Sequence, residues 1–184
     1  MKISAIGASV AVVVASVASA DVTYTFVNQT WTGQFSTAFD VGTLTGSITA
    51  VKANATLDAS SGSGYTYASD LCIYVAYNPL ASGGLLQAGG GRNLFATQRV
   101  AWTNGHSSAP GTVVSSTRLL TTAISMAANP NAIVYVGNGY PFATGDSGTW
   151  TGTITLVGVD LVPAPGAVAL LGLAGAIGGR RRRA

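Results

Sequence analysis

The chain holds one histidine, one cysteine, six aspartates and no glutamate. Serine-type nucleophilic catalysis needs a histidine base and a carboxylate that orients it. His106 sits in the stretch Thr103-Asn104-Gly105-His106-Ser107, which contains no acid. Local sequence therefore assembles no such set, and His106 reads as a solvated loop residue unless distant Asp and Ser side chains converge on it. Glycoside hydrolysis needs two acids about 5 to 10 Å apart. Asp21, Asp40, Asp58, Asp70, Asp146 and Asp160 are scattered, no two closer than twelve positions. Loops could pair Asp58 with Asp70, or Asp40 with Asp146. A calcium site would need Asp oxygens gathered with loop carbonyls, and no Asp-x-Asp-x-Asp run supplies them. No catalytic residue, metal ligand or cofactor is assigned from this inventory. Cys72 cannot form an internal disulfide and reads as a buried, inert thiol.

The aromatics offer a binding chemistry instead. Trp31, Trp102 and Trp150, with Tyr65, Tyr67 and Tyr140, are residues on which sugar rings can stack, although aromatics also fill cores. Trp31 and Trp150 fall in strand-like stretches and are expected in the core. Trp102 and Tyr140 lie beside turns and are the candidate ligand-binding residues, with extracellular polysaccharide as the partner. The glycine runs lack the G-x-x-x-x-G-K-[ST] phosphate cradle.

The elements that must carry these residues are strands. Val22 to Val27 alternates apolar and polar with period two, as do Ser47 to Leu57 and Trp150 to Val159. Leu71 to Tyr77 is a near-continuous apolar run, expected of a strand buried on both faces. Ala132 to Val136 is another. Clusters of Gly, Asn and Ser punctuate the chain at 60–64, 82–84, 89–91, 104–105, 129–131, 137–139 and 145–148. Leu119 to Ala128 fits a short helix or a strand equally. Many short strands with Gly-rich turns predict an all-β domain, a sandwich or barrel.

The net charge of +3 belongs to the ends. Between Asp21 and Pro163 four basic residues face six acidic ones, a balance of about −2. A basic footprint for nucleic acid is therefore missing from the central segment.

Both ends read as addresses. Residues 1–20 have the three parts of a secretory signal peptide: Lys2, an apolar run from Ala5 to Val17, and Ala18-Ser19-Ala20, a small-residue cleavage site. Cleavage after Ala20 would leave Asp21 first. Residues 162–184 hold Pro163-Ala164-Pro165, an uncharged apolar stretch through Gly179, and Arg180-Arg181-Arg182-Arg183. The 16 uncharged residues from Ala164 to Gly179 make a helix of about 24 Å. That is slightly short for a bilayer core, a gap that arginine snorkelling and local thinning close. The arginines would stay cytoplasmic and the 21–161 domain would lie outside.

This tail resembles the PEP-CTERM sorting signal of Gram-negative bacteria, a Pro-x-Pro motif followed by an apolar helix and an arginine cluster. Ala164 stands where that signal has its middle Glu. The resemblance implies an exosortase-type membrane protease as partner, transient anchoring in the inner membrane, and release to the envelope surface or extracellular matrix. A plain anchor that is never cut is the alternative.

The central segment resembles the P domain of proprotein convertases, a jelly-roll sandwich. The matching pieces are Ile48 to Leu57, Asp70-Leu71-Cys72-Ile73-Tyr74-Val75, a Gly-rich loop over Gly84 to Asn93, and Asp146-Ser147-Gly148-Thr149-Trp150-Thr151. The expectation is therefore an all-β, jelly-roll-like sandwich flanked by a signal-peptide helix and a transmembrane helix. Its expected role is non-enzymatic, structural or adhesive. A carbohydrate- or calcium-binding module is the alternative, and a hydrolase a third reading that would need His106 or two Asp gathered in one pocket.

Overall fold

The computed structural model describes residues 21–32, 37–39, 44–62, 65–77, 83–91, 96–140 and 145–162. They form β1 (Val22–Thr32), β2 (Thr37–Phe39), β3 (Leu44–Ser61), β4 (Leu71–Ala76), β5 (Gly84–Gly89), β6 (Ala96–Val100), β7 (Thr112–Ser125), β8 (Ile133–Asn138) and β9 (Ser147–Leu161), with one 3-10 turn at Ala68–Asp70. The all-β reading holds. The strands make two sheets, ordered β1-β9-β3-β7 and β2-β8-β4-β5-β6. Every pairing is antiparallel except β5 with β6.

Apolar side chains from both sheets meet in one core. In β3, Val51, Ala53, Ala55 and Leu57 point inward while Lys52 and Asn54 face water. Upstream, Leu44, Ile48 and Ala50 are buried instead, so the inward phase changes from even to odd positions. The β3–β7 register shifts between Ile48 and Ala50. There two steps along β3, Ile48 to Ala50, face five along β7, Leu119 to Ile124, an irregularity that lets the side-chain phase flip as a β-bulge does. The same device works in β1: Phe26 and Trp31 are both buried, and the register shifts between Phe26 and Gln29. Asn28 takes a left-handed φ of 48° at that bulge, a conformation Asn tolerates better than most residues.

Sequence and fold agree on β4, where all six residues are buried. The undecided segment Leu119 to Ala128 is strand as far as Ser125. Its Thr-rich stretch favours extended backbone, and it pairs with β3 through Leu119 opposite Ala50 and Ile124 opposite Ile48. One expectation is corrected: the segment expected as a Gly-rich loop from Gly84 onward is strand β5 through Gly89. Its Leu86, Gln87 and Ala88 are buried, and four residues of β4 pair with it.

The expected terminal helices, at 1–20 and within 163–184, fall outside the described residues. Among the described residues no helix is long and apolar enough to cross a membrane.

Candidate functional site

The short turn Tyr67-Ala68-Ser69-Asp70 is tied to three loops and to the core. Ala68 N–H donates to Ser107 O at 2.9 Å, and Ser69 N–H to Gly105 O at 2.9 Å. Gly90 N–H donates to Ser69 O at 3.1 Å, and Gly139 N–H to Asp70 O at 2.7 Å. The Trp150 indole donates to Ala68 O at 3.3 Å from below. The His106 loop is held on its other side by β7: Ser115 N–H donates to Asn104 Oδ1 at 3.0 Å, and Thr103 N–H to Ser116 Oγ at 3.3 Å. These bonds satisfy backbone groups that would otherwise be buried unpaired, and they fix the turn and the His106 loop side by side.

Two adjoining hollows result, sharing Gly89, Gly90, Gly91 and Ala101 as a common wall. The smaller, about 180 Å³, is lined by Ser69, Asp70, Trp102 and His106. The larger, about 250 Å³, is lined by Gln87, Arg99 and Val100. Gly89 and Gly90 shape the wall, with φ of +74° and +59°. A Cβ on Gly89 would lie 2.1 Å from Trp102 Nε1 and 2.2 Å from Leu71 O, so this close, left-handed crossing requires glycine. Gln87 Nε2 donates to Gly90 O at 2.8 Å and to Gly89 O at 3.3 Å. Arg99 Nη2 donates to Gly91 O at 2.7 Å. Both side chains thus brace the glycine turn.

His106, expected as an isolated loop residue, is exposed but has a partner: its Nδ1 lies 3.2 Å from Ser69 Oγ. Asp70 lines the same hollow. The set differs from a serine-hydrolase triad in two ways. Asp70 accepts from Tyr67 N–H at 2.8 Å and, among the described residues, makes no hydrogen bond to His106. Burial also raises the Asp70 carboxyl to about 7, only partly offset by the Tyr67 N–H, whereas an orienting acid must stay ionised.

The remaining sequence candidates are placed as follows. Trp31 and Trp150 are in the core, each 0 % exposed, with ring centres 5.7 Å apart. Trp102, a candidate ligand-binding residue, lines the smaller hollow. It is 3 % exposed and donates its indole N–H to Leu71 O at 2.6 Å, because that strand-end carbonyl needs a donor once buried. Tyr140 is half-buried, its ring lying across Gly91. Tyr65 and Tyr67 are the exposed aromatics among those named.

Asp58 accepts from Thr151 Oγ1 at 2.6 Å, whereas Asp70 accepts from Tyr67 N–H. Asp146 is fully buried beside Gly62, and its suggested mate Asp40 falls outside the described residues. No three His, Cys, Asp or Glu side chains gather as a metal site among the described residues. Cys72 is a buried free thiol pushed well up by desolvation. The sorting motif Pro163, Ala164 and Pro165, the arginines Arg180 to Arg183, and the cleavage-site residues Ala18 and Ala20 lie outside the described residues.

Sequence reading passed over Gln87 and Arg99. Gln87 carried a signal, being the one polar residue in the run Leu85-Leu86-Gln87-Ala88. Arg99, in a polar, alternating strand, carried none.

No protein-family model matches this chain, and no curated protein and no solved structure matches it either.

Proposed function

We propose that the chain is an exported bacterial envelope or extracellular-matrix protein with a structural or adhesive role, sorted through its PEP-CTERM-like tail. In this reading residues 1–20 are removed on export, the 162–184 segment parks the domain in the inner membrane, and an exosortase-type protease releases it near Pro163 to Pro165. The domain itself is non-enzymatic.

The observation that carries the reading is the position of the first and last strands. β1 and β9 pair with each other, Val22 opposite Leu156, and β9 runs on to Leu161. Among the described residues the first strand therefore starts next to the expected cleavage point and the last strand ends next to the expected sorting motif, both at the same end of one sheet. A body so arranged can be tethered to one membrane by either end without unpairing a strand.

The outer face of the four-stranded sheet supports the adhesive part. Thr23, Thr155, Lys52 and Thr117 are opposed in one cross-strand row, and Thr25, Thr153, Asn54 and Ser115 in the next. Such a face is hydrated and nearly uncharged, and offers hydroxyls to a polar polymer at the regular strand spacing of roughly 4.8 Å. The Lys52–Asp21 pair at 2.9 Å is the salt bridge on it among the described residues.

We propose a jelly roll as the finer topology. Its support is the way the chain alternates between sheets: β1, β3, β7 and β9 in one, β2, β4, β5, β6 and β8 in the other. That crossing pattern fits two interleaved Greek keys, with the parallel β6 as an addition.

Replacing Arg180 to Arg183 with glutamine tests the tail. Without the cationic stop the segment loses its cytoplasmic anchor. The expected outcome is weaker membrane retention and loss of the processed form in cell fractions. Unchanged localisation together with unchanged mature mass would refute the sorting reading.

A further inference from the structure

A strand at the edge of a sheet offers unpaired N–H and C=O groups to other chains, and proteins blunt such edges with short strands, bulges, proline or charge. Among the described residues the two sheets end in β1 and β7, and in β2 and β6. β2 and β6 are short, three and five residues, and β1 carries the bulge at Asn28. β7 is the longest of the four, at 14 residues. From Thr112 to Ser125 it has no Pro, no Gly and no Lys. Arg118 is its one charged residue, and seven of the 14 are β-branched. That is the composition of a segment that pairs readily with copies of itself. Leu119, 78 % exposed, and Val113, 46 % exposed, add apolar contact along it.

Side chains close this edge instead. Gln98 of β6 reaches across the seam between the sheets. Its Nε2 donates to Thr122 O at 2.6 Å, and its Oε1 accepts from Thr122 N–H at 3.1 Å. The two bonds together fix which end of the amide is oxygen. Two residues opposed in an antiparallel ladder exchange the same pair of bonds, so the side-chain amide stands in for a neighbouring strand. Thr122 lies between Leu119 and Ile124, where β7 departs from the β3 register. Nearer the start of the strand, Asn104 Oδ1 accepts from Ser115 N–H at 3.0 Å, which withholds that donor from an incoming strand.

We propose that Gln98 and Asn104 guard the β7 edge, and that the partner they hold off is β7 of a second copy, paired antiparallel. A second copy is the occupant because β7 carries the self-pairing composition and the exposed Leu119 and Val113 on both sides of such a contact. An isologous contact closes at two copies, so the released edge joins two four-stranded sheets into one. Guarded, the chain stays a single copy, and adhesive contacts fall to the sheet faces rather than to this edge.

Sedimentation equilibrium of the full chain, in a mild detergent that solvates its apolar ends, tests the guard. The wild-type chain is expected to sediment as one copy at every concentration. Gln98→Ala combined with Asn104→Ala is expected to approach twice that mass as concentration rises, with its far-ultraviolet circular dichroism retained. Adding Leu119→Lys to the double variant is expected to restore the single copy, because charge on an edge disfavours pairing. Leu119 is exposed, so that change costs the fold little. Should the double variant fail to fold, Gln98→Ala alone decides. Its mass is expected to rise with concentration, and at a dilution where it is a single copy its Thr122 amide is expected to exchange roughly fivefold faster or more, the loss of one hydrogen bond. A folded double variant that stays a single copy overturns the proposal. So does a wild-type chain that pairs as strongly as the variant, pairing that Leu119→Lys leaves unchanged, or Thr122 exchange that Gln98→Ala does not alter.

Discussion

Trp150→Ala is expected to lower stability by about 3–5 kcal/mol, the range for a large aromatic cut from a core. Trp150 is 0 % exposed and lies in β9, the strand hydrogen-bonded to both β1 and β3. Its ring packs at 5.7 Å from Trp31, which in turn meets Phe26 edge-on at 5.3 Å. Truncation therefore removes buried area, opens a cavity, and breaks an aromatic pair that contributes about 0.5–1.5 kcal/mol beyond its area. It also strips Ala68 O of its indole donor, at 3.3 Å, and so loosens the turn that carries Ser69 and Asp70. Domains of this size are stable by only about 5–15 kcal/mol, so one substitution consumes a large share. Urea unfolding followed by circular dichroism measures it, with Thr25→Ala on the outer face as the control expected within about 0.5 kcal/mol. A Trp150→Ala loss below about 1.5 kcal/mol would mean that the Trp31–Trp150 pair does not carry the core.

The second large effect is a pH dependence set by Asp70. Its carboxyl is raised from 3.8 to about 7, chiefly by desolvation. The folded chain therefore holds a proton that the unfolded chain has released throughout this interval. Where the native state binds more protons, stability falls as pH rises. Stability is thus expected to be highest near pH 4, to fall through neutrality, and to level off above about pH 7. The total is on the order of 4 kcal/mol, from roughly three pKa units at about 1.4 kcal/mol each.

Asp70→Asn keeps an oxygen to accept from Tyr67 N–H but cannot ionise. It is expected to flatten the profile and to be the more stable protein at pH 8. Asp21, lowered by its bond to Lys52, has the opposite sign. Its contribution is lost only in acid, below the window in which Asp70 acts. Urea midpoints at pH 4, 6 and 8 decide the point. Wild-type stability that rises over this range, or an Asn variant less stable at pH 8, would contradict the assignment.

The parts of the fold legible in the sequence were those governed by local pattern. Leu71 to Tyr77 announces a doubly buried strand because no polar residue interrupts it. Val22 to Val27 and Trp150 to Val159 announce half-buried strands by alternation. β5 was obscured because Gly84 and Gly89 bound a run too short to outweigh the turn signal of its glycines, although Leu86 and Ala88 are fully buried once β4 lies beside it. Leu119 to Ala128 was ambiguous because its pattern fits both periods, and only pairing with β3 decides it.

The cleft was less legible still. Asp70 and His106 are 36 positions apart, and what joins them is a set of backbone bonds from Ala68 and Ser69 to Gly105 and Ser107. Such long-range closure leaves no mark in composition or spacing. The burial of Trp102 was hidden for the same reason. A tryptophan beside a turn looks exposed until the carbonyl of Leu71, 31 residues away, is seen to take its N–H.

The intact mass of the chain recovered separately from the membranes and the growth medium of its producing cells tests export and sorting most directly. The expected result is a membrane-bound species lacking residues 1–20, and a shorter released species that ends near Pro163 to Pro165. A single species of full-length mass, still carrying Met1 and Arg183 and confined to the cytoplasm, would contradict both cleavages and the role built on them.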